Sequence, residues 1–295
     1  MALVVDQQEG RTGVGDMLRT AILAALRDIE ACLASSGPSP REVHLARRAA
    51  KRLRALARLA PLRLSTLARQ TTLGAQRARR GFGGARDADV RKATLDALRE
   101  HLPDDTHACL RQLACESVET GFDADREAVG SAVRRLIRDW TLCDVDIDFD
   151  QLAALSTKTY RRARRRMKRA ATGGTGDLHR WRAAVVDHEY IGDFLAQFAP
   201  DMGDESAAAD RLRKLLGDLN DLDMLCAFVR ERKALDERAL DAMRRLNEVV
   251  AVQRAKARER ALRLGEKTYA ARPKKWRKRL MRSFATGNDR QILQL

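Results

Sequence analysis

Apolar residues recur every three to four positions along most of this chain, a spacing that places them on one face of an α-helix. The clearest stripe, in segment 16–34, consists of Leu18, Ile22, Leu26, Ile29 and Leu33. The same period fits, in approximate bounds, segments 106–120, 125–140, 150–171, 178–199, 205–233 and 235–271. These segments predict an all-α protein.

One helix start is marked by local chemistry. Ser39 can cap the helix, Pro40 suits the first helical position, and Glu42 completes a capping box. The motif predicts a helix from position 40 onwards, with His44 in its second turn.

The acidic segment 141–150, TLCDVDIDFD, interrupts the helical pattern near the middle of the chain. Its alternating aspartates invite comparison with a calcium loop, but the glycine and the terminal glutamate of such a loop are missing. A linker in which an aspartate caps the next helix fits the segment better.

The chain also repeats itself. A His-x-x-Arg motif at 44–47 recurs at 179–182, 135 positions later. The segment FGGARDADV at 82–90 recurs as LGDLNDLDM at 216–224, 134 positions later. Because two motifs keep the same order and nearly the same offset, we expect two homologous halves packed about a pseudo-twofold axis.

Charge narrows the choice of partner. The chain has 57 Lys and Arg against 41 Asp and Glu, a formal net charge of +16. Self-repulsion of this size favours a polyanionic partner, such as nucleic acid, an anionic membrane surface or another polyanion. Five cysteines without a CxxC spacing indicate free thiols, and no apolar run is long enough to span a bilayer. We expect a cytoplasmic protein without a membrane segment.

Basic residues fall into three segments. One face of the first motif helix carries His44, Arg47, Lys51, Arg54 and Arg58, with Arg52 beside it. The second segment carries Lys158, Arg161 and Arg165 in one row, and Arg162, Arg166 and Arg169 next to that row. The third, 266–280, includes Lys267 and Lys274. Each face alone could simply be solvated, but three such segments favour a shared anion-binding surface.

Aromatic residues make up only 4% of the chain, and Tyr160 is the single one within the basic rows. Binders of single-stranded nucleic acid usually add aromatic platforms on which bases stack. The composition therefore favours a chain of phosphates without bases, and no sequence-specific recognition of nucleic acid.

The motif histidines and aspartates admit more than one role. His44 and His179 could donate to phosphate or could orient their neighbours, and an arginine three positions on opposes a metal site. The pairs Asp87/Asp89 and Asp221/Asp223 could be catalytic, but capping a helix or anchoring arginines from the motif helices suits them better.

Together, VHLARRAAKRLRALARL, RDADV, RRARR, LHRWR, LGDLNDLD and LGEKTYAARPK resemble the motifs of CHAD domains, the conserved histidine α-helical domains, in order and spacing from about 15 to 282. The resemblance implies two four-helix bundles, 15–143 and 150–282, which form one domain around a basic central cavity. It also implies binding of inorganic polyphosphate without catalysis, with His44, Arg47, Lys51 and Arg54 of the first motif helix and His179 and Arg182 of the second facing that cavity. We expect the other cations of the three basic segments to bind the same ligand, and we expect no cofactor.

The second motif departs from the family. Ala183, Ala184, Val186 and Asp187 replace the expected run of cations, and Glu189 stands where the first motif has arginine. We therefore expect the first motif helix and segment 158–169 to hold more of the phosphate than the second motif helix.

Three functions follow from these observations. The first is a non-enzymatic polyphosphate binder in the cytoplasm, associated with polyphosphate granules. The alternative is a non-specific nucleic-acid-binding protein, since charge alone does not separate the two. The third is an enzyme that uses His44 or His179 for phosphate transfer, or a metal-dependent phosphatase.

Overall fold

A computed structural model describes residues 13–82, 84–115, 122–232 and 236–292. Within those ranges the regular secondary structure is helical, so the all-α prediction is confirmed. The α-helices are α1 Val14–Ala34, α2 Pro40–Leu56, α3 Ser65–Gly81, α4 Gly84–Ala97, α5 Asp104–Cys115, α6 Phe122–Leu142, α7 Phe149–Thr172, α8 Thr175–Leu195, α9 Gly203–Arg230, α10 Glu237–Thr268 and α11 Pro273–Ile292. Short 3-10 helices are Ala57–Leu59, Leu62–Leu64, Arg99–His101 and Pro200–Met202.

The helix starts follow the local chemistry of the sequence. The Ser39 hydroxyl accepts from the Glu42 backbone amide over 3.3 Å, and the Glu42 carboxylate accepts from the Ser39 amide over 2.7 Å. Asp148 accepts from the backbone amide of Gln151 over 2.7 Å and so caps α7. Both the capping box and the capped linker are confirmed.

Four helices from the first part of the chain pack as one group: α1 contacts α2 and α6, and α3 contacts the same two helices. The stripe predicted on α1 lies inside this group, where Leu18, Ile22, Leu26 and Ile29 are fully buried. The apolar period therefore placed the inner face of α1 correctly.

The remaining helices build on this group from two sides. Helix α8 packs between α7 and α9, and its other side contacts α2, so the two motif helices meet. Helices α4 and α5 pack instead against α9 and α10, around a second apolar core that includes Leu95, Leu110, Leu225 and Leu246. Packing thus crosses the expected boundary between 15–143 and 150–282, and the pseudo-twofold relation stays a prediction.

Close packing fixes the position of α8. Trp181 is fully buried and lies against Gly265 of α10, where a Cβ atom would come within 2.6 Å of Cζ2 of the indole. A side chain at position 265 would push α10 away from α8. This contact fixes how closely the second motif helix, α8, packs against α10.

No helix in the described ranges combines the length and the apolarity that crossing a bilayer requires. Cys32, Cys109, Cys143 and Cys226 are free thiols, and the side chain of Cys115 lies outside the described part.

Candidate anion-binding site

Three arginine side chains converge on the carboxylate of Asp187 in α8. Arg54 of α2 donates from Nε to Oδ1 over 2.9 Å, and its Nη2 lies 2.7 Å from the same oxygen. Arg58, in the turn after α2, donates from Nε to Oδ2 over 2.9 Å. Nη1 of Arg162 in α7 lies 3.2 Å from Oδ2. We call Arg54, Arg58, Arg162 and Asp187 the arginine cluster.

The arginine cluster carries excess positive charge because three guanidiniums face one carboxylate. Asp187 has no exposed side-chain surface, whereas Arg54, Arg58 and Arg162 keep 15%, 33% and 28% of theirs. Burial, followed by repulsion from Arg58, lowers the pKa of Arg162 against the raising effect of Asp187. An anion beside these guanidiniums would relieve the repulsion.

Arg182, the arginine of the second motif, lies in the same cationic surroundings. Burial lowers the pKa of Arg182, and Asp221 of α9 raises it. The like charges of Arg79 in α3, Arg213 in α9 and Arg54 lower it further. The Nε atom of Arg182 is buried and has no hydrogen-bond partner in the described part of the chain. These arginines form a partly buried region where an anion would find several donors.

His179 lies one turn before Arg182 and is close to Asp223 of the repeated motif. Its Nε2 is 3.7 Å from Oδ2 of Asp223, whose Oδ1 lies 2.7 Å from Nε of Arg254. Burial raises the pKa of Asp223, against the lowering effects of Arg254 and His179. Asp223 therefore joins α8 to α9 and α10. The capping role expected for Asp221 and Asp223 is wrong, because both lie inside α9, and the arginine paired with Asp223 belongs to α10 and not to a motif helix.

His44 occupies a comparable position in the first motif. It lines, together with Asp89 of α4, a cavity of about 370 Å³. The side chain of Asp87, the other aspartate of the pair Asp87/Asp89, lies outside the described part of the chain. His179 thus contacts an aspartate of the repeated motif, whereas His44 and Asp89 line one cavity, and contact of either histidine with a ligand stays a prediction.

Glu189 of α8 adds a second carboxylate to this region. It is 7% exposed and accepts from Nε of Arg213 over 2.9 Å. Burial raises the pKa of Glu189 to about 7, against the lowering effect of Arg213, and Asp210 and Asp193 raise it further. Glu189 shares Arg213 with Asp210, which contacts the same guanidinium.

The remaining first-motif residues differ in exposure. Nη1 of Arg47 donates to the carbonyl of Phe82 over 2.6 Å, which ties α2 to the end of α3. Lys51 is half-buried. Arg52 is exposed and lines, with Arg48 and other residues, a separate cleft of about 430 Å³ between α1 and α2.

The α7 segment presents two faces. Arg166 lies one turn after Arg162, is half-buried, and lowers the pKa of Arg162 through repulsion. The other predicted cations of this segment are all exposed: Lys158, Arg161, Arg165 and Arg169. They form a solvated row along α7, next to the arginine cluster.

The third basic segment lies on a different side of α7. Tyr160 donates to the carbonyl of Ala271 over 2.9 Å, and Nε of Arg164 donates to the carbonyl of Tyr269 over 3.0 Å. Positions 160 and 164 face away from Arg162, because two residues turn a helix by about 200°. No described contact brings the exposed Lys267 and Lys274 to the arginine cluster.

Sequence reasoning did not assign four of the residues in this region: Asp187, Glu189, Arg79 and Arg213. The two carboxylates were visible as a departure of the second motif, but their burial among arginines had no signal in the sequence. Arg79 lies in α3, which carries no other mark of a site, and Arg213 lies in α9 three positions before the repeated motif 216–224.

Among the described residues, no group of three or more His, Cys, Asp or Glu side chains is arranged to hold a metal ion. Fold and site thus define an all-α protein with a partly buried, arginine-rich region where its motif helices meet.

A family model for the CHAD domain matches residues 20–230, most of the chain, so this chain belongs to the CHAD domain family. The crystal structure of the CHAD domain from the plant Ricinus communis is similar, with a TM-score of 0.57 and 20% identity. The similarity covers 92% of this chain and 96% of that chain and supports the fold. No curated protein matches this chain.

Proposed function

We propose that this chain binds inorganic polyphosphate and does not catalyse its turnover. The observation that carries the proposal is the arginine cluster, where guanidiniums from α2, the following turn and α7 outnumber a single buried carboxylate. Guanidiniums stay charged at physiological pH and can make bidentate contacts with phosphate oxygens.

The arrangement suits a linear polyanion better than an isolated ion. Arg162 lies beside Arg166 and the exposed row on α7, and Arg54 lies near Arg182. Cationic groups therefore continue from the arginine cluster in two directions, so successive phosphates of one chain can each meet a guanidinium. Release of counterions from the polyphosphate adds to the driving force.

The aromatic residues favour polyphosphate over nucleic acid. Trp140, Trp181 and Trp276 are fully buried, as are Tyr160 and Tyr269. In the described part of the chain, no large aromatic side chain is among the exposed hydrophobic residues. The described surface therefore offers cations to phosphates but no fully exposed aromatic side chain on which bases could stack.

The non-catalytic part of the proposal rests on how the motif carboxylates are used. Asp187 neutralises arginines, and Asp223 lies between His179 and Arg254. Each carboxylate is already paired with cations, as residues that hold a structure together usually are. We propose a cytoplasmic location at polyphosphate granules, which co-localisation of a fluorescent fusion with stained granules would test.

Equilibrium competition tests the proposal. The protein is loaded with fluorescent long-chain polyphosphate and challenged with unlabelled polyphosphate or single-stranded RNA at equal phosphate concentration. We expect polyphosphate to displace the probe at much lower concentration than RNA. Equal or stronger displacement by RNA would overturn the proposal and favour non-specific nucleic-acid binding. Release of free phosphate from polyphosphate by the purified protein would overturn its non-catalytic part.

A further inference from the structure

The second motif helix contributes carboxylates where the first contributes cations. In the register of the repeat, Asp187 stands at the place of Arg52 and Glu189 at the place of Arg54. By charge alone, both replacements would weaken the attraction of a polyanion. The structure shows instead that Asp187 is fully buried and contacts three of the arginines on which the proposed function depends.

We propose, resting on the proposed function, that Asp187 is a positioning residue that holds Arg54, Arg58 and Arg162 in the arrangement that grips polyphosphate. Without a carboxylate at the centre, three guanidiniums this close would repel one another and turn toward solvent. Asp187 gathers side chains from α2, the turn after it and α7, which are separate in the sequence, at one point.

The way each arginine uses Asp187 leaves donors for a ligand. Arg58 contacts Asp187 through Nε, and Arg162 contacts it through Nη1. Each guanidinium carries five N–H donors, so a contact through Nε of Arg58 or Nη1 of Arg162 uses only a part of them. With 33% and 28% of their side chains exposed, these two arginines combine a fixed position with access from solvent.

Preorganisation is the physical reason that one negative charge can strengthen the binding of a polyanion. A free arginine loses side-chain entropy when it closes on phosphate, whereas an arginine already held by Asp187 has lost most of it on folding. One carboxylate neutralises one of three guanidiniums, so a positive excess remains for the ligand.

Replacing the Asp187 carboxylate distinguishes a positioning role from an effect of net charge, because the two predict opposite changes in the affinity for polyphosphate. Asp187→Asn raises the net charge by one. A charge-only account therefore predicts tighter binding of polyphosphate. We expect binding of long-chain polyphosphate at physiological salt to weaken by about tenfold, the effect of losing a well-placed charge-assisted contact. The thermal midpoint should also fall.

The control variant is Asp241→Asn on α10. Asp241 pairs with Arg244 and Arg245 at an exposed position, so this variant makes the same change of charge away from the arginine cluster. We expect its affinity for polyphosphate to equal or slightly exceed that of the wild type. Circular dichroism establishes that each variant is folded at the temperature of the titration.

Asp187→Glu keeps the charge and moves the carboxylate by one methylene group. It tests the positioning role of Asp187 even if the asparagine variant does not fold. We expect it to bind less tightly than the wild type, whereas a charge-only account predicts no change. Folded Asp187 variants that bind as tightly as the wild type, or more tightly, would overturn the positioning role alone. A wild-type protein that does not bind polyphosphate would overturn the proposed function itself.

Discussion

Arg54 donates from Nε to Oδ1 of Asp187 over 2.9 Å, although the two residues are 133 positions apart in the sequence. The contact joins the two motif helices, and it gives a physical reason for the aspartate that stands in the second motif where the first has a cation. Asp187 supplies the counter-charge around which cations of α2 and α7 gather. The two motif helices therefore contribute different things to one region.

Two arginines of α7 that are two positions apart allow a test of which face of this helix contacts phosphate. Arg162 belongs to the arginine cluster, whereas Arg164 donates to the carbonyl of Tyr269 on the other side of the helix. We expect Arg162→Ala to weaken polyphosphate binding and to lower the slope of log K against log salt by about 1, the loss of one phosphate contact.

Arg164→Ala is the matched control, since it removes the same charge from the same helix. It should leave the salt slope unchanged and lower the thermal midpoint, because the carbonyl of Tyr269 loses its donor. Dissociation constants measured between about 50 and about 200 mM salt give this slope for each variant. Equal slopes for both variants would place the phosphate contacts elsewhere.

Glu189 predicts a pH dependence of binding. Burial raises the pKa of Glu189 to about 7; Arg213 lowers it, Asp210 and Asp193 raise it further, and the hydroxyls of Tyr190 and Tyr269 are close enough to feel its charge. A bound polyanion disfavours the ionised carboxylate, so binding takes up protons near neutral pH. Affinity should therefore rise as pH falls from 8 to 6, by up to about tenfold for each unit by which the ligand raises this pKa further.

Glu189→Gln provides the control for this pH dependence. All other titratable groups are retained in the glutamine variant, so their contribution persists. The difference between wild type and variant, measured by calorimetric titration across this range, isolates Glu189. A variant whose affinity varies with pH as steeply as that of the wild type would remove Glu189 from the account.

His188 predicts instability in mild acid. It is buried beside Tyr160, Tyr269 and Trp276, its Nδ1 lies 3.3 Å from the Tyr269 hydroxyl, and burial lowers its pKa to about 4. Between pH 6.5 and 4 the unfolded chain therefore binds up to one more proton than the folded chain. The stability that depends on neutral His188 is fully present above pH 6.5 and is lost as pH falls toward 4. The loss should be on the order of 3 kcal/mol.

Denaturant unfolding at pH 7 and pH 4.5 measures this loss. His188→Gln keeps a hydrogen-bonding partner for Tyr269 but does not titrate, so its free energy of unfolding should fall less between the two values. An equal fall in both proteins would show that other groups, among them Glu205 at 3.7 Å from Nε2, govern acid stability.

Much of the fold could be predicted because its determinants are local. The apolar period of α1 and the capping residues Ser39 and Asp148 act within one or two turns, and each lies in the structure where the sequence placed it. The packing of α4 and α5 against α9 and α10 could not be predicted this way, since it depends on contacts between distant segments.

The site was predictable in part for the same reason. Spacing placed Arg54 and Arg58 on one face of the first motif helix, although Arg58 lies in the turn after α2, and the basic segment 158–169 added Arg162. The sequence could not show that Asp187 would lie among them, because its burial depends on where α8 crosses α2 and α7. Lys267 and Lys274 look equally basic in the sequence, yet they lie on the side of α7 away from the cluster.

The most direct measurement compares two double variants that each remove two positive charges. Arg58→Ala with Arg162→Ala strips the arginine cluster but keeps the pair Arg54–Asp187, whereas Lys256→Ala with Arg260→Ala removes exposed cations from α10. Titration with long-chain polyphosphate should show a loss of about a hundredfold for the first, two charge-assisted contacts, and a small loss for the second. Equal losses would contradict the account, because they would mean that net charge, and not the arginine cluster, binds the ligand.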